Sequence, residues 1–149
     1  MQKKNESNSD QLVIGKLRWE ISVDDFSKEP ARPGMIPYQL TFILCNDYDF
    51  PLRVKVQITS PSKGFMFRKR IYKKVGRSRI TKIDNVLTQI IKQEIPSLQM
   101  KQIGFVAHFY PTLFPASSTL KLNYQISARN KEHQFSIKSN IYELDVSIK

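Results

Sequence analysis

The sequence predicts an all-β sandwich of antiparallel strands with one short helix. Apolar residues recur at every second position in seven or more short runs, which puts them on one face of a pleated strand. Turn-forming residues separate those runs, and a single stretch changes to helical spacing.

Taken in order, Leu17, Trp19, Ile21 and Val23 alternate with Arg18, Glu20 and Ser22. Tyr38, Leu40, Phe42 and Leu44 follow, with Ile43 making part of that run apolar on both sides. Leu52, Val54, Val56 and Ile58 form the third run, and Phe67, Ile71 and Val75 lie on one side of the fourth. Later runs are Ile103 to Phe109, Leu120 to Ala128 and Tyr142 to Ile148, with Gln134 to Lys138 as a shorter one. Turn chemistry falls at Pro30, Pro33 and Gly34, at Asn46 to Pro51, at Ser60 to Gly64, at Pro111 to Ser118 and at Asn130 to His133. Antiparallel hairpins are the expected connection. Ile83, Leu87, Ile90 and Ile91 fall at i, i+4, i+7 and i+8, a helical stripe. Thr81 with Asp84 resembles a capping box and Pro96 forbids continuation, so the helix is expected from about Lys82 to about Gln93. Trp19 is expected in the core, and Cys45 as a small buried hydrophobe.

With 149 residues, 40 % hydrophobic and 11 % aromatic, the chain can fill one core. Residues 1–11 are polar and without periodicity and are expected as a flexible tail, leaving 12–149 as the single domain. No apolar stretch approaches the roughly 20 residues of a membrane span, and the start lacks the apolar run of a secretory signal. The expected location is cytoplasmic, with peripheral attachment at the inner membrane surface open to so basic a chain.

Few residues are arranged for chemistry. One cysteine excludes an intramolecular disulfide, and with His108 and His133 it is too little for a zinc site. Five glycines form no phosphate-cradling loop. His108, opposite an apolar face, is expected as an ordinary exposed or edge histidine rather than a general base, and His133 falls in a turn. The pairs Asp24/Asp25 and Asp47/Asp49 read as solvated turn acids, without the further carboxylates of a calcium cage. No catalytic residue, metal or cofactor is expected, and an enzyme is the disfavoured class.

Charge is the informative feature. Against 24 Lys and Arg stand 13 Asp and Glu, a net charge of +11. From Phe50 to Ile83 there is no acid at all, while eleven cations lie there. On the third run Arg53 and Lys55 face away from the apolar side. On the fourth, Arg68, Arg70, Tyr72 and Lys74 do so, with Lys69, Lys73, Arg77 and Arg79 beside them. If a hairpin through Ser60 to Gly64 joins the two runs, these residues share one sheet face and a continuous positive field. A merely soluble face has no need to collect like charges, so acidic or phosphorylated protein segments, or an anionic membrane surface, are the expected partners. Nucleic acid is the least favoured, because no basic helix offers a reading face.

Several short stretches, in order, resemble the arrestin fold, an immunoglobulin-like β-sandwich that includes α-arrestins and the retromer cargo-selecting subunit. They are Gly15-Lys16-Leu17 with Asp25-Phe26; Arg32-Pro33-Gly34 and Pro51-Leu52-Arg53-Val54; and Phe67-Arg68-Lys69. Ile80 to Ile83 with Leu87 and Ile90 is similar to the single arrestin helix. Phe109-Tyr110-Pro111, Pro115 to Ser118 and Leu122 to Ala128 complete the likeness. The resemblance implies a non-enzymatic adaptor that receives phosphorylated or acidic segments, with Arg68 and Lys69 at the receiving position. The second arrestin sandwich and the buried charged cluster that governs activation have no counterpart in this sequence. A looser layout likeness, to matrix proteins of negative-strand RNA viruses, implies instead a small structural protein that binds anionic membrane and ribonucleoprotein.

Overall fold

A computed structural model describes residues 12–25, 36–61, 65–109 and 119–147. Its strands are β1 (Leu12–Ile14), β2 (Leu17–Asp25), β3 (Ile36–Asn46), β4 (Leu52–Thr59), β5 (Phe65–Val75), β6 (Ser78–Val86), β7 (Thr88–Ile95), β8 (Met100–Phe109), β9 (Thr119–Asn130), β10 (Phe135–Lys138) and β11 (Tyr142–Ser147). They form a six-stranded sheet in the order β1-β2-β3-β8-β5-β6 and a five-stranded sheet in the order β10-β9-β4-β7, with β11 also bonded to β9. Strand pairing is antiparallel throughout the described residues. The tail expected over residues 1–11, the Arg32-Pro33-Gly34 turn and the proline-bracketed stretch 110–118 lie outside the described residues.

Alternation explains the layers. Trp19, Leu40, Phe42, Phe67 and Phe105 of the first sheet and Val54, Val56, Leu122, Tyr124 and Ile126 of the second are buried in one cluster. Full burial of each such side chain is worth about 1.5–3 kcal/mol. Specific contacts bridge the sheets: the Trp19 indole N–H donates to the Tyr124 hydroxyl at 3.1 Å, and the Phe42 and Tyr124 rings meet edge to face at 5.2 Å. Burial pushes the Tyr124 phenol up to about 12, a rise that the Trp19 hydrogen bond opposes.

The end of β3 is tied down by a polar residue. Asn46 is fully buried; its side-chain amide donates to the Phe50 carbonyl at 3.0 Å and the Ile95 carbonyl at 3.1 Å, and its side-chain oxygen accepts from the Tyr48 N–H at 2.9 Å. One side chain thus fastens the 47–51 loop to the end of β7 in the opposite sheet. Two-residue turns close the β1/β2 and β5/β6 hairpins, with Gly15 (φ 57°) and Gly76 (φ 61°) supplying the left-handed first position such turns require.

Four expectations need correction. The helix expected from Lys82 to Gln93 is absent: that stretch forms parts of β6 and β7. Ile80, Thr81, Ile83, Val86, Thr88, Ile90 and Ile91 are β-branched, stiff at χ1 and at home on a pleated surface. Along β7 the inward positions are Gln89, Ile91, Gln93 and Ile95, so Ile90 points out and is 46 % exposed, although a helical stripe would have placed it beside Ile91. Thr81 and Asp84 do not cap a helix; they pair with Tyr72 and Lys69. The expected hairpin between the third and fourth runs is absent as well, because β4 lies in the five-stranded sheet and β5 in the six-stranded one. His108 is buried, 4 % exposed, where its β8 position is flanked by Pro37 of β3 and Met66 of β5. Cys45 is half-buried rather than fully buried. Trp19 is in the core, 3 % exposed.

Candidate functional site

The outer face of the five-stranded sheet is set by the parity of β4. Leu52, Val54, Val56 and Ile58 turn inward, so Arg53, Lys55, Gln57 and Thr59 turn outward. Register then fixes their neighbours. Arg53 lies opposite Arg129 of β9 on one side and Glu94 of β7 on the other; Lys55 lies opposite Ser127 of β9 and Lys92 of β7. On β10, Ser136 faces Arg129 and Lys138 faces Ser127. The two rows across the sheet are therefore Ser136-Arg129-Arg53-Glu94 and Lys138-Ser127-Lys55-Lys92, with side chains of adjacent strands about 5 Å apart at Cβ.

Like charges face each other directly at Arg53/Arg129 and at Lys55/Lys92. Such pairs oppose sheet stability. Glu94 is the one carboxylate in the two rows. Among the described residues none of Arg53, Lys55, Lys92, Arg129 and Lys138 forms an ion pair with a carboxylate. Other outward charges are paired: Arg18 bonds Asp47 at 2.6 Å, and Lys121 meets Glu143 at 2.9 Å and Asp145 at 3.7 Å. Those contacts hold the Asp47 carboxyl below its usual range and raise Lys121 above its own, in each case chiefly through the hydrogen bond to the partner.

A concavity of about 160 Å³ lies over the two rows, lined by Arg53, Lys55, Lys92, Ser127, Ala128, Arg129 and Ser136, with no acidic residue. Arg53 and Arg129 also wall an adjoining hollow of about 270 Å³ with Glu94 and Glu132, and Gln57, Thr59, Asn123 and Gln125 line an uncharged one of about 220 Å³. The three follow the β4/β9 seam. Along this seam the cationic side chains are concentrated at Arg53, Arg129, Lys55 and Lys92.

The expected site residues divide between two places. Arg53 and Lys55 belong to this face, whereas Arg68, Lys69 and Lys74 of β5, Arg79 of β6 and Arg77 in the turn belong to the β5/β6 hairpin of the other sheet. Arg70, Tyr72 and Lys73 occupy β5 in register with Ile83, Thr81 and Ile80, and their side chains lie outside the described set. The single continuous face expected from a β4/β5 hairpin is thus replaced by two basic regions. Lys92, Arg129 and Lys138 were not anticipated: Lys92 lay within the expected helix. Arg129, which continues the outward positions of the Leu120 run, was legible as outward-facing but not as a neighbour of Arg53.

Among the described strands, β5 pairs with β8 only from Phe65 to Phe67; beyond that it bonds β6 alone. The hairpin therefore leaves the sheet as a two-stranded ribbon. From Phe65 to Val86 the sequence carries eight Lys and Arg against Asp84. Among the described residues no group of three or more His, Cys, Asp and Glu could hold a metal ion, and no helix is long and apolar enough to cross a membrane.

No family model matches the chain, and no curated protein matches it. Among solved structures it is similar to a FixG-related protein from Vibrio parahaemolyticus, with 9 % identity, a TM-score of 0.47, and coverage of 91 % of this chain and 99 % of that one.

Proposed function

We propose that this protein is a non-enzymatic binding module, an immunoglobulin-like sandwich of the arrestin-like kind, that docks extended acidic or phosphorylated protein segments along the β4/β9 seam. The observation that carries this reading is the pair of like-charge contacts, Arg53/Arg129 and Lys55/Lys92, around an acid-free concavity. An anionic segment relieves that repulsion, and a phosphate takes two guanidinium forks better than it takes separate ammonium groups. Ser127 and Ser136 at the rim add hydroxyl donors. The cytoplasm is the proposed setting, where kinases supply such segments.

The test is a binding titration of fluorescent acidic peptides, with and without phosphoserine, against the wild type and the Arg53→Gln/Arg129→Gln variant. The phosphorylated peptide binds more tightly, and the double variant loses about tenfold or more, equivalent to about 1.4 kcal/mol. Affinity falls as salt rises, because exposed attractions are screened within about 10 Å at 0.1 M. Equal affinity of the two proteins, or binding indifferent to salt, overturns the reading.

A further inference from the structure

We infer that the β5/β6 ribbon is a second binding element, separate from the sheet face, and that its partner is the groove of B-form duplex DNA. Three features support it.

The first is shape. Among the described strands the ribbon is two strands wide past Phe67, and from Arg68 to Val75 it runs eight residues, about 25 Å at roughly 3.3 Å each. The major groove of B-form DNA, about 12 Å wide and 8.5 Å deep, admits a two-stranded β-ribbon. A basic ribbon can therefore read a groove without the helix whose absence had counted against nucleic acid.

The second is the distribution of charge. Lys69 lies on the side that continues the core face of Phe67, while Arg68, Lys74 and Arg79 lie on the opposite side, the last two directly across from each other, and Arg77 sits in the closing turn. Lys69, Lys74, Arg77 and Arg79 are exposed. A lipid surface is planar and engages one face or the tip. A groove has a phosphate wall on either side, which suits cations on both faces. The third feature is the pair Val75 and Ile80, 49 % and 52 % exposed on the Lys69 side. Exposed apolar side chains on a groove-entering element meet thymine methyl groups or wedge against base steps. The phosphate contacts carry the affinity and make it strongly salt-dependent.

The experiment measures binding of the full chain to a 20-base-pair duplex DNA by fluorescence anisotropy over a range of salt. The same sequence as single-stranded DNA and as duplex RNA, and vesicles of phosphatidylcholine with phosphatidylserine, are parallel arms. The variants are Lys74→Gln/Arg77→Gln/Arg79→Gln on the ribbon and Arg53→Gln/Arg129→Gln on the sheet. The wild type binds the DNA duplex most tightly. The ribbon variant lowers the magnitude of the log K against log salt slope by about 0.9 for each lost contact, close to 3 in all, and the sheet variant leaves the slope unchanged. Should the triple variant fail to fold, Arg77→Gln alone, in the exposed turn, lowers the slope by about 0.9. An unchanged slope in the ribbon variants, loss of DNA binding in the sheet variant, equal binding to duplex RNA, or vesicle binding without DNA binding each overturns the inference. Failure of the peptide titration leaves it standing, since the two regions lie on different sheets.

Discussion

At the scale of single residues, two buried polar groups hold the sheets in place. Replacing Asn46 with Ala strands the carbonyls of Phe50 and Ile95 and the Tyr48 N–H, and is expected to cost about 3 kcal/mol in urea denaturation. Tyr124 gives stability a pH dependence. Folding favours its protonated phenol, so the contribution is whole below the unfolded value near 10 and is lost as pH rises toward about 12. Tyr124→Phe removes that dependence and also leaves the Trp19 indole N–H without its acceptor. The variant is therefore less stable than the wild type at about pH 9, and the gap narrows by about pH 11.5 in paired urea titrations. None of this was legible in the sequence: the alternation of Leu120 to Ala128 marks Tyr124 as inward, but only the packing of β9 against β2 gives it an indole partner.

At the scale of elements, the like-charge cross-strand pairs oppose sheet stability, and on the proposed reading they serve binding. Lys92→Glu turns the Lys55/Lys92 contact into an attractive one. It is expected to stabilise the protein by about 0.5 kcal/mol in thermal or urea denaturation while weakening capture of the acidic peptide. The ribbon makes a second prediction. Because among the described strands β5 beyond Phe67 bonds only β6, amides of the distal ribbon exchange with solvent sooner than those of β3 and β9, which are bonded on both sides over much of their length. Hydrogen-exchange mass spectrometry of the intact protein reads the difference directly. The strands with strict alternation were plain from sequence, because one face is buried and the other wet. Residues 82–93 misled because Ile90 and Ile91, on opposite faces of β7, happen to fall at helical intervals from Ile83; β-branching at many of those positions was the contrary signal.

At the scale of the whole molecule, the topology distributes the charge. The chain passes between the sheets five times, and the passage after β4 divides the acid-free stretch of sequence into an outer sheet face and a projecting ribbon. Parity along each strand could be read in advance; which strands lie side by side could not, since Arg53 and Arg129 are 76 positions apart and meet only through the pairing of β4 with β9. The protein is expected to show two separable anion affinities, each weakened by salt and each removed by its own set of substitutions. Competition between the acidic peptide and duplex DNA, measured on one sample, checks this: a partner held at one region should leave the other able to bind.

The placement of Trp19 has a practical consequence. It is the sole indole in the sequence, and it sits between the two layers, away from both cationic regions. Its emission should shift to the red when the layers separate and stay constant when a ligand settles outside them. The molecule therefore carries its own optical gauge of integrity, by which a variant that has lost affinity can be told from one that has come apart.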